Sequence, residues 1–241
     1  MPLVQLAEVE VDLIRKPVRR LRLTVYAPDG RVRVTAPLRM PVALIAEFVT
    51  ARQTWIRKHQ ARFAALERPA PLAYASGETH FYQGRGYQLQ VHEGAGRPRV
   101  ALREAEGFLD LYVATGSTPT QRAQVLTAWY RAQLKAQLPA LVAQWEPVVG
   151  VQAQAWAVKQ MKTRWGTCNI QAKRIWLNLE LIKRPLACLE YVVVHELVHL
   201  HERLHNARFW GLMDQFMPTW RQHKTELNRV LLGSAAGADA D

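Results

Sequence analysis

Cysteine is scarce in this chain of 241 residues: Cys168 and Cys188 are all there is. Two thiols cannot build a disulfide framework, which excludes the small stapled scaffolds of secreted domains and fits a reducing compartment. Also missing is any run of about eighteen consecutive apolar residues, so no membrane-spanning helix is expected. The first thirty residues show no apolar stretch behind a basic start, so no secretory signal is read. The expectation is a cytoplasmic protein with no membrane partner. No internal repeat is found, which excludes solenoids and propellers.

Acidic residues are in deficit as well. Asp and Glu number 20 against 32 Lys and Arg, a formal net charge of +12. The excess is divided as 17 basic against 11 acidic residues up to Gly116 and 15 against 9 beyond it. A surplus of this size favours polyanionic partners such as nucleic acid, nucleotides or acidic protein surfaces without choosing among them. Its densest run, "RKPVRRLR" at residues 15–22, reads as a solvated strand edge.

What is present supports a sizeable core, since 49% of the residues are hydrophobic. "LRLTVYAPDGRVRVTAP" alternates Leu21, Leu23 and Val25, breaks at Pro28-Asp29-Gly30, and resumes with Val32 and Val34, the signature of a β-hairpin. After Pro41, Ile45, Phe48, Val49, Ile56, His59, Phe63 and Leu66 recur at helical spacing and predict one amphipathic helix ending before Pro69. "GYQLQVH", "RVAL" and "FLDLYVA" then return to strand periodicity. "STPTQ" changes the period again: Thr118 as N-cap, Pro119 at the first helical position and Gln121 in a capping box predict a long helix striped by Val125, Trp129, Leu134, Leu138, Leu141 and Trp145. "AWAVKQM" and "RIWLNLEL" read as two more strands, joined across "KTRWGTCNIQAK". The fold class is α+β: a β-rich amino-terminal part with one helix over residues 1–116, packed on a helical part over residues 117–232, then a tail over 233–241.

Four of the eight histidines crowd into "HELVHLHERLH", residues 195–205. His195-Glu196-x-x-His199 is the zincin pattern. Residues four apart on a helix share a face, so two neutral imidazoles can hold one zinc ion while Glu196 flanks the metal. Zinc lowers the pKa of a bound water from about 15.7 to about 7, and the glutamate takes the proton. A third protein ligand is needed. His205 stands ten residues after His195, the metzincin offset, but reaches the metal only if the helix stops near Glu202 and the chain turns. Asn206, a good N-cap, argues for such a break. Metzincins carry glycine where this chain has Glu202. That residue stays on the metal-facing side, as an alternative ligand or as a hydrogen-bond partner for a ligand imidazole. A straight helix would carry His201 away, leaving it an ordinary histidine.

"YVVVHELVHLHERLHNARFW", with "KTRWGTC" upstream, resembles the YgjP-like metallopeptidases, relatives of the SprT-like and WLM zinc proteases. The resemblance runs over about residues 20–232. It implies a zincin-like catalytic part with His195, His199 and His205 as zinc ligands and Glu196 as catalytic base, acting on protein or peptide. Thr167 stands where serine is usual in that signature. In "KTRWGTC", one reading has Trp165 packing on the catalytic helix, Gly166 permitting a turn and Cys168 buried as a small apolar residue. The other has Lys162 or Arg164 stabilising negative charge in the transition state. "AWAVKQM" is a candidate edge for an extended substrate. Three functions follow: a zinc metallopeptidase; a metal-dependent nucleoside triphosphate pyrophosphatase, a label also carried within the family; and a non-enzymatic nucleic-acid-binding protein with structural zinc closed by Cys168.

Overall fold

The computed structural model describes residues 3–6, 8–26, 29–65 and 72–228, without the side chains of 62 and 65. It contains six helices and three small sheets among these residues, an α+β protein. The expected turn residue Pro28, the helix end at Leu66 to Pro69 and the tail lie outside the described residues.

The chain divides into two compact units, residues 1–69 and 70–241. The amino-terminal unit holds β1 (Leu3–Leu6), β2 (Val9–Lys16), β3 (Arg22–Tyr26) and β4 (Arg31–Pro37), followed by α1 (Val42–Thr50) and α2 (Gln53–Ala65). Its sheet runs β1-β2-β4-β3. The predicted hairpin is present: β3 pairs antiparallel with β4, Val25 opposite Val32 and Leu23 opposite Val34. Gly30 closes its turn in the left-handed region, φ 70°, with its N–H donating to the Tyr26 carbonyl at 2.8 Å. Alternation puts Val9, Val11, Val32, Val34 and Ala36 on one face, where they bury with Ile45, Val49 and Ile56 of the helices.

Two expectations change here. The single amphipathic helix is two, interrupted at Ala51–Arg52, where the Arg52 N–H turns back to the Val49 carbonyl three residues away. The run at residues 15–22 is not a strand edge. Arg15 and Lys16 finish β2, which is interior to the sheet, Arg19 and Arg20 sit on the loop that follows, and Arg22 alone opens an outer strand, β3.

The second unit begins with β5 (Thr79–Tyr82), β6 (Arg85–Glu93), β7 (Arg99–Arg103) and β8 (Phe108–Val113), in sheet order β5-β6-β8-β7. Then α3 (Pro119–Val149) runs with the full capping box at Thr118 and Gln121 and continues through Pro139 and Pro147. A three-stranded sheet follows, from β9 (Ala155–Lys159), β10 (Gly166–Asn169) and β11 (Arg174–Asn178), and a 3-10 turn over Leu179–Lys183. The chain finishes with α4 (Leu186–Val198), α5 (Ala207–Phe216) and α6 (Trp220–Leu227). No described helix is long and apolar enough to cross a membrane.

The structure therefore groups the chain differently from a division at 116/117. Tyr87, Leu89, Leu109 and Leu111 of the β5–β8 sheet share one core with Leu126, Tyr130 and Leu134 of α3 and with α4. The change of period at 117 marks a change of secondary structure, but burial of the sheet's apolar face decides the packing. "RIWLNLEL" is likewise half strand and half 3-10 turn, because the Asn178 side chain caps the Glu180 N–H at 3.2 Å.

Candidate metal centre

α4 opens with a mostly apolar run, "LACLEYVVV", and Val192, Val193 and Val194 are at most 3% exposed. Three β-branched residues in a row are poor helix formers, so burial holds this helix. His195 and His199, one turn apart on it, present their rings to each other with centroids 4.9 Å apart.

The helix ends at Val198. The N–H groups of His201 and Glu202 both return to the Val198 carbonyl, at 2.9 and 3.0 Å. The chain then turns: the Glu202 carboxylate accepts from the Leu204 N–H at 3.1 Å, and Asn206 caps α5 by accepting from the Phe209 N–H at 3.0 Å. This turn swings His205 back, leaving its Nε2 3.0 Å from that of His195 and 3.1 Å from that of His199. Glu202 does reach a clustered imidazole, but through its backbone: His199 Nδ1 lies 3.1 Å from the Glu202 carbonyl. His201 is not in the cluster; its Nε2 lies 2.8 Å from the Val149 carbonyl at the end of α3.

The three imidazoles are a group that could hold a metal ion. Burial, reinforced by the imidazoles of His199 and His205 and by Lys224, pushes the His195 pKa well below its ordinary value. Burial lowers that of His199 too, against the pull of the Glu202 carbonyl. Both shifts favour the neutral ring, the form a metal requires. Three ring nitrogens that converge within hydrogen-bond distance suit one cation, which accepts three lone pairs at once. Tetrahedral nitrogens about 2.1 Å from zinc stand about 3.4 Å from one another, close to the spacings here. Phe209, fully buried, backs the cluster with its centroid 4.7 to 4.9 Å from all three rings. Trp210 stacks on His205, Trp220 on Trp210 and Tyr191 on Trp220, forming an aromatic wall.

Glu196 is 4% exposed, and its Oε2 has no hydrogen-bond partner. Burial raises its pKa to about 8, opposed by the charge of Arg164. The carboxylate lies over Gly166, the first residue of β10. A Cβ there would stand 2.8 Å from both Cγ and Cδ of Glu196. Gly166 has no positive φ. The glycine of "RWGTC" thus provides space for the carboxylate, where a turn was expected.

Of the two cations in that motif, both exposed, Arg164 is the one whose charge acts on Glu196. Their loop is organised by a residue that sequence reasoning passed over. Asn178, 3% exposed, donates to the carbonyls of Met161 at 3.0 Å and Arg164 at 2.8 Å and accepts from the Met161 N–H at 3.3 Å. An Asn closing a strand before "LEL" reads as a local cap, and nothing in the sequence ties it to residues 161–164. Trp165 is buried in the same core as α4, with the Arg184 guanidinium 5.2 Å from its ring centre. Cys168 is half-buried, its thiol pushed up to about 12 by burial and the nearby Glu196, and it is not among the clustered ligands. The suggested substrate edge, β9, is an outer strand of its sheet, and Arg131 of α3 donates to its Val158 carbonyl at 2.7 Å. β10, the opposite outer strand, is the one that begins at Glu196.

Two imidazoles at the end of α4, a third returned by the turn that follows, and the buried glutamate between the first two define a candidate metal centre. The chain belongs to the YgjP-like family, whose metallopeptidase-domain model matches residues 19–230. Among solved structures it is similar to the crystal structure of the metallopeptidase zymogen of Pyrococcus abyssi abylysin. That likeness has 17% identity and a TM-score of 0.34, over 36% of this chain and 88% of that one. The family match carries the assignment.

Proposed function

We propose that this metallopeptidase-family chain is a zinc-dependent peptidase, with His195, His199 and His205 holding the metal and Glu196 acting as general base. The observation that carries the reading is the juxtaposition itself: three convergent nitrogens next to a carboxylate buried with an unpartnered oxygen. An unpaired buried polar oxygen is costly, and its retention here fits a group whose partner arrives with the reaction. Bound zinc would supply an acidified water at neutral pH. Glu196 takes the proton from the attacking water and delivers it to the departing amine. Gly166 lets it sit close. Arg164 supplies positive charge on the solvent side of the site, where negative charge develops on the substrate. The outer strand β10 would offer backbone groups to an extended peptide.

A scaffold with structural zinc is less well supported: Cys168 does not join the histidines, and a closed site has no task for Glu196. Elemental analysis of purified protein should find close to one zinc per chain, lost in a His195→Ala, His199→Ala double variant. Metal-replete protein assayed side by side on unfolded protein and on nucleoside triphosphates should hydrolyse the former. Full zinc in the double variant overturns the ligand set, and turnover of the triphosphate alone overturns the peptidase reading.

A further inference from the structure

Counted within the two units that the structure defines, the charge is uneven. Residues 1–69 carry 13 basic against 6 acidic residues, an excess of seven. Residues 70–241, more than twice as many, carry 19 against 14, an excess of five. In the smaller unit five cations gather at one end of the sheet. β2 ends at Lys16, opposite Pro37 at the end of β4, and β3 starts at Arg22, opposite Thr35. The loop between β2 and β3 adds Arg19 and Arg20, and the turn after β4 adds Arg39. All five are exposed, and none makes a side-chain hydrogen bond or ion pair among the described residues.

No acidic residue occurs between Asp12 and Asp29 or between Asp29 and Glu47. Glu8 and Asp29 belong to the opposite end of the sheet, and Asp12 is neutralised by Arg33 at 2.7 Å. Arg15 builds the platform: its Nη1 donates to the carbonyls of Pro37, Leu38 and Met40 at 3.2, 3.0 and 2.7 Å. That grip fixes the Arg39 turn against the end of β2, so cations from three segments present together.

We propose that this end of the amino-terminal unit is a sequence-independent docking surface for the phosphate backbone of nucleic acid. Four of the five cations are arginines, whose forked donors match phosphate oxygens. β2, β4 and β3 are adjacent at about 4.8 Å each, so the row spans roughly 10 Å, about three nucleotide steps at 3.4 Å. A row suits a polymer of phosphates better than a single nucleotide. Exposed apolar residues also occur here, Val18 on the loop after β2 and Leu38, Val42 and Leu44 after β4, which makes a lipid surface the competing polyanion that the test separates from nucleic acid. The inference stands independently of the metal centre.

The test is fluorescence anisotropy of the full chain with a labelled duplex of about 20 base pairs between 50 and 200 mM salt. Five phosphate contacts predict a log–log salt slope of about −4.5, an affinity loss of about five-hundredfold over that range. The triple variant Arg19→Ala, Arg20→Ala, Arg39→Ala should flatten the slope by close to three, with an unchanged melting temperature. A charge-matched control, Arg31→Ala, Arg57→Ala, Lys58→Ala, should keep the slope of the unsubstituted chain. Absence of duplex binding at 50 mM salt, or equal losses in the two triple variants, overturns the proposal. So does binding to phosphatidylserine vesicles that depends on these arginines while the duplex is ignored.

Discussion

Two carboxylates in the larger unit are equally hidden and oppositely treated. Asp110 on the β5–β8 sheet and Glu196 on α4 are each 4% exposed. Asp110 is surrounded by donors: Arg103 reaches it at 2.7 and 3.2 Å, and His92 Nε2 lies at 2.8 Å. Burial alone would raise its pKa, but these partners outweigh burial and hold it below the ordinary value. Glu196 has an orphan oxygen and the opposing charge of Arg164, and burial prevails, taking it to about 8. Burial therefore does not by itself mark a functional acid; the proposed role of Glu196 rests on burial without donors next to groups that could hold a metal.

The comparison is broken most forcefully at Gly166. Gly166→Ala would force Glu196 off its place, and hydrolysis should fall by about a hundredfold or more with zinc content unchanged. A wild-type rate in that variant would contradict the close fit. Phe209→Ala removes the buried backing of all three imidazoles and should cost about 3 to 5 kcal/mol in urea unfolding, with weaker zinc retention under a chelator. On the other side of the comparison, Asp110→Asn should cost about 1 to 2 kcal/mol at neutral pH and leave turnover intact. The sign of its pH dependence follows from a lowered folded-state pKa. Its stabilisation is present above the unfolded value near 3.8 and is lost as pH falls through the depressed one. The melting curves of the two proteins should therefore converge in acid. If they stay equally far apart, Asp110 is not held as described.

The legible parts of the molecule were those written in local periodicity. The hairpin, the capped α3 and the spacing of His195, Glu196 and His199 each need only a few neighbouring residues. The break that returns His205 was also readable, from Asn206 as a cap. Other features depend on partners far along the chain. β10 is four residues long and polar, so its pairing with β11 leaves no pattern in "KTRWGTCNIQAK". Glycine in that motif is ambiguous in sequence between a turn and a need for space, and the answer comes from Glu196, thirty residues later. Glu202 orients His199 through a carbonyl that every residue type possesses, so its identity carried no signal for that contact. The unit boundary was hidden because the periodicity changes at 117 while the apolar face of β5–β8 continues into the core of α3.

The account turns on Glu196 being a proton acceptor and not a structural carboxylate. Glu196→Gln tests this directly, because glutamine has nearly the same shape, remains neutral in the pocket and cannot take the proton. Zinc content, melting temperature and peptide hydrolysis should be measured on the same zinc-replete preparation. The expected result is one zinc per chain, a melting temperature no lower than that of the unsubstituted protein, and turnover reduced by about a hundredfold to ten-thousandfold. Unchanged hydrolysis with full zinc would contradict the mechanism, and a marked loss of stability would show that Glu196 holds the fold together instead.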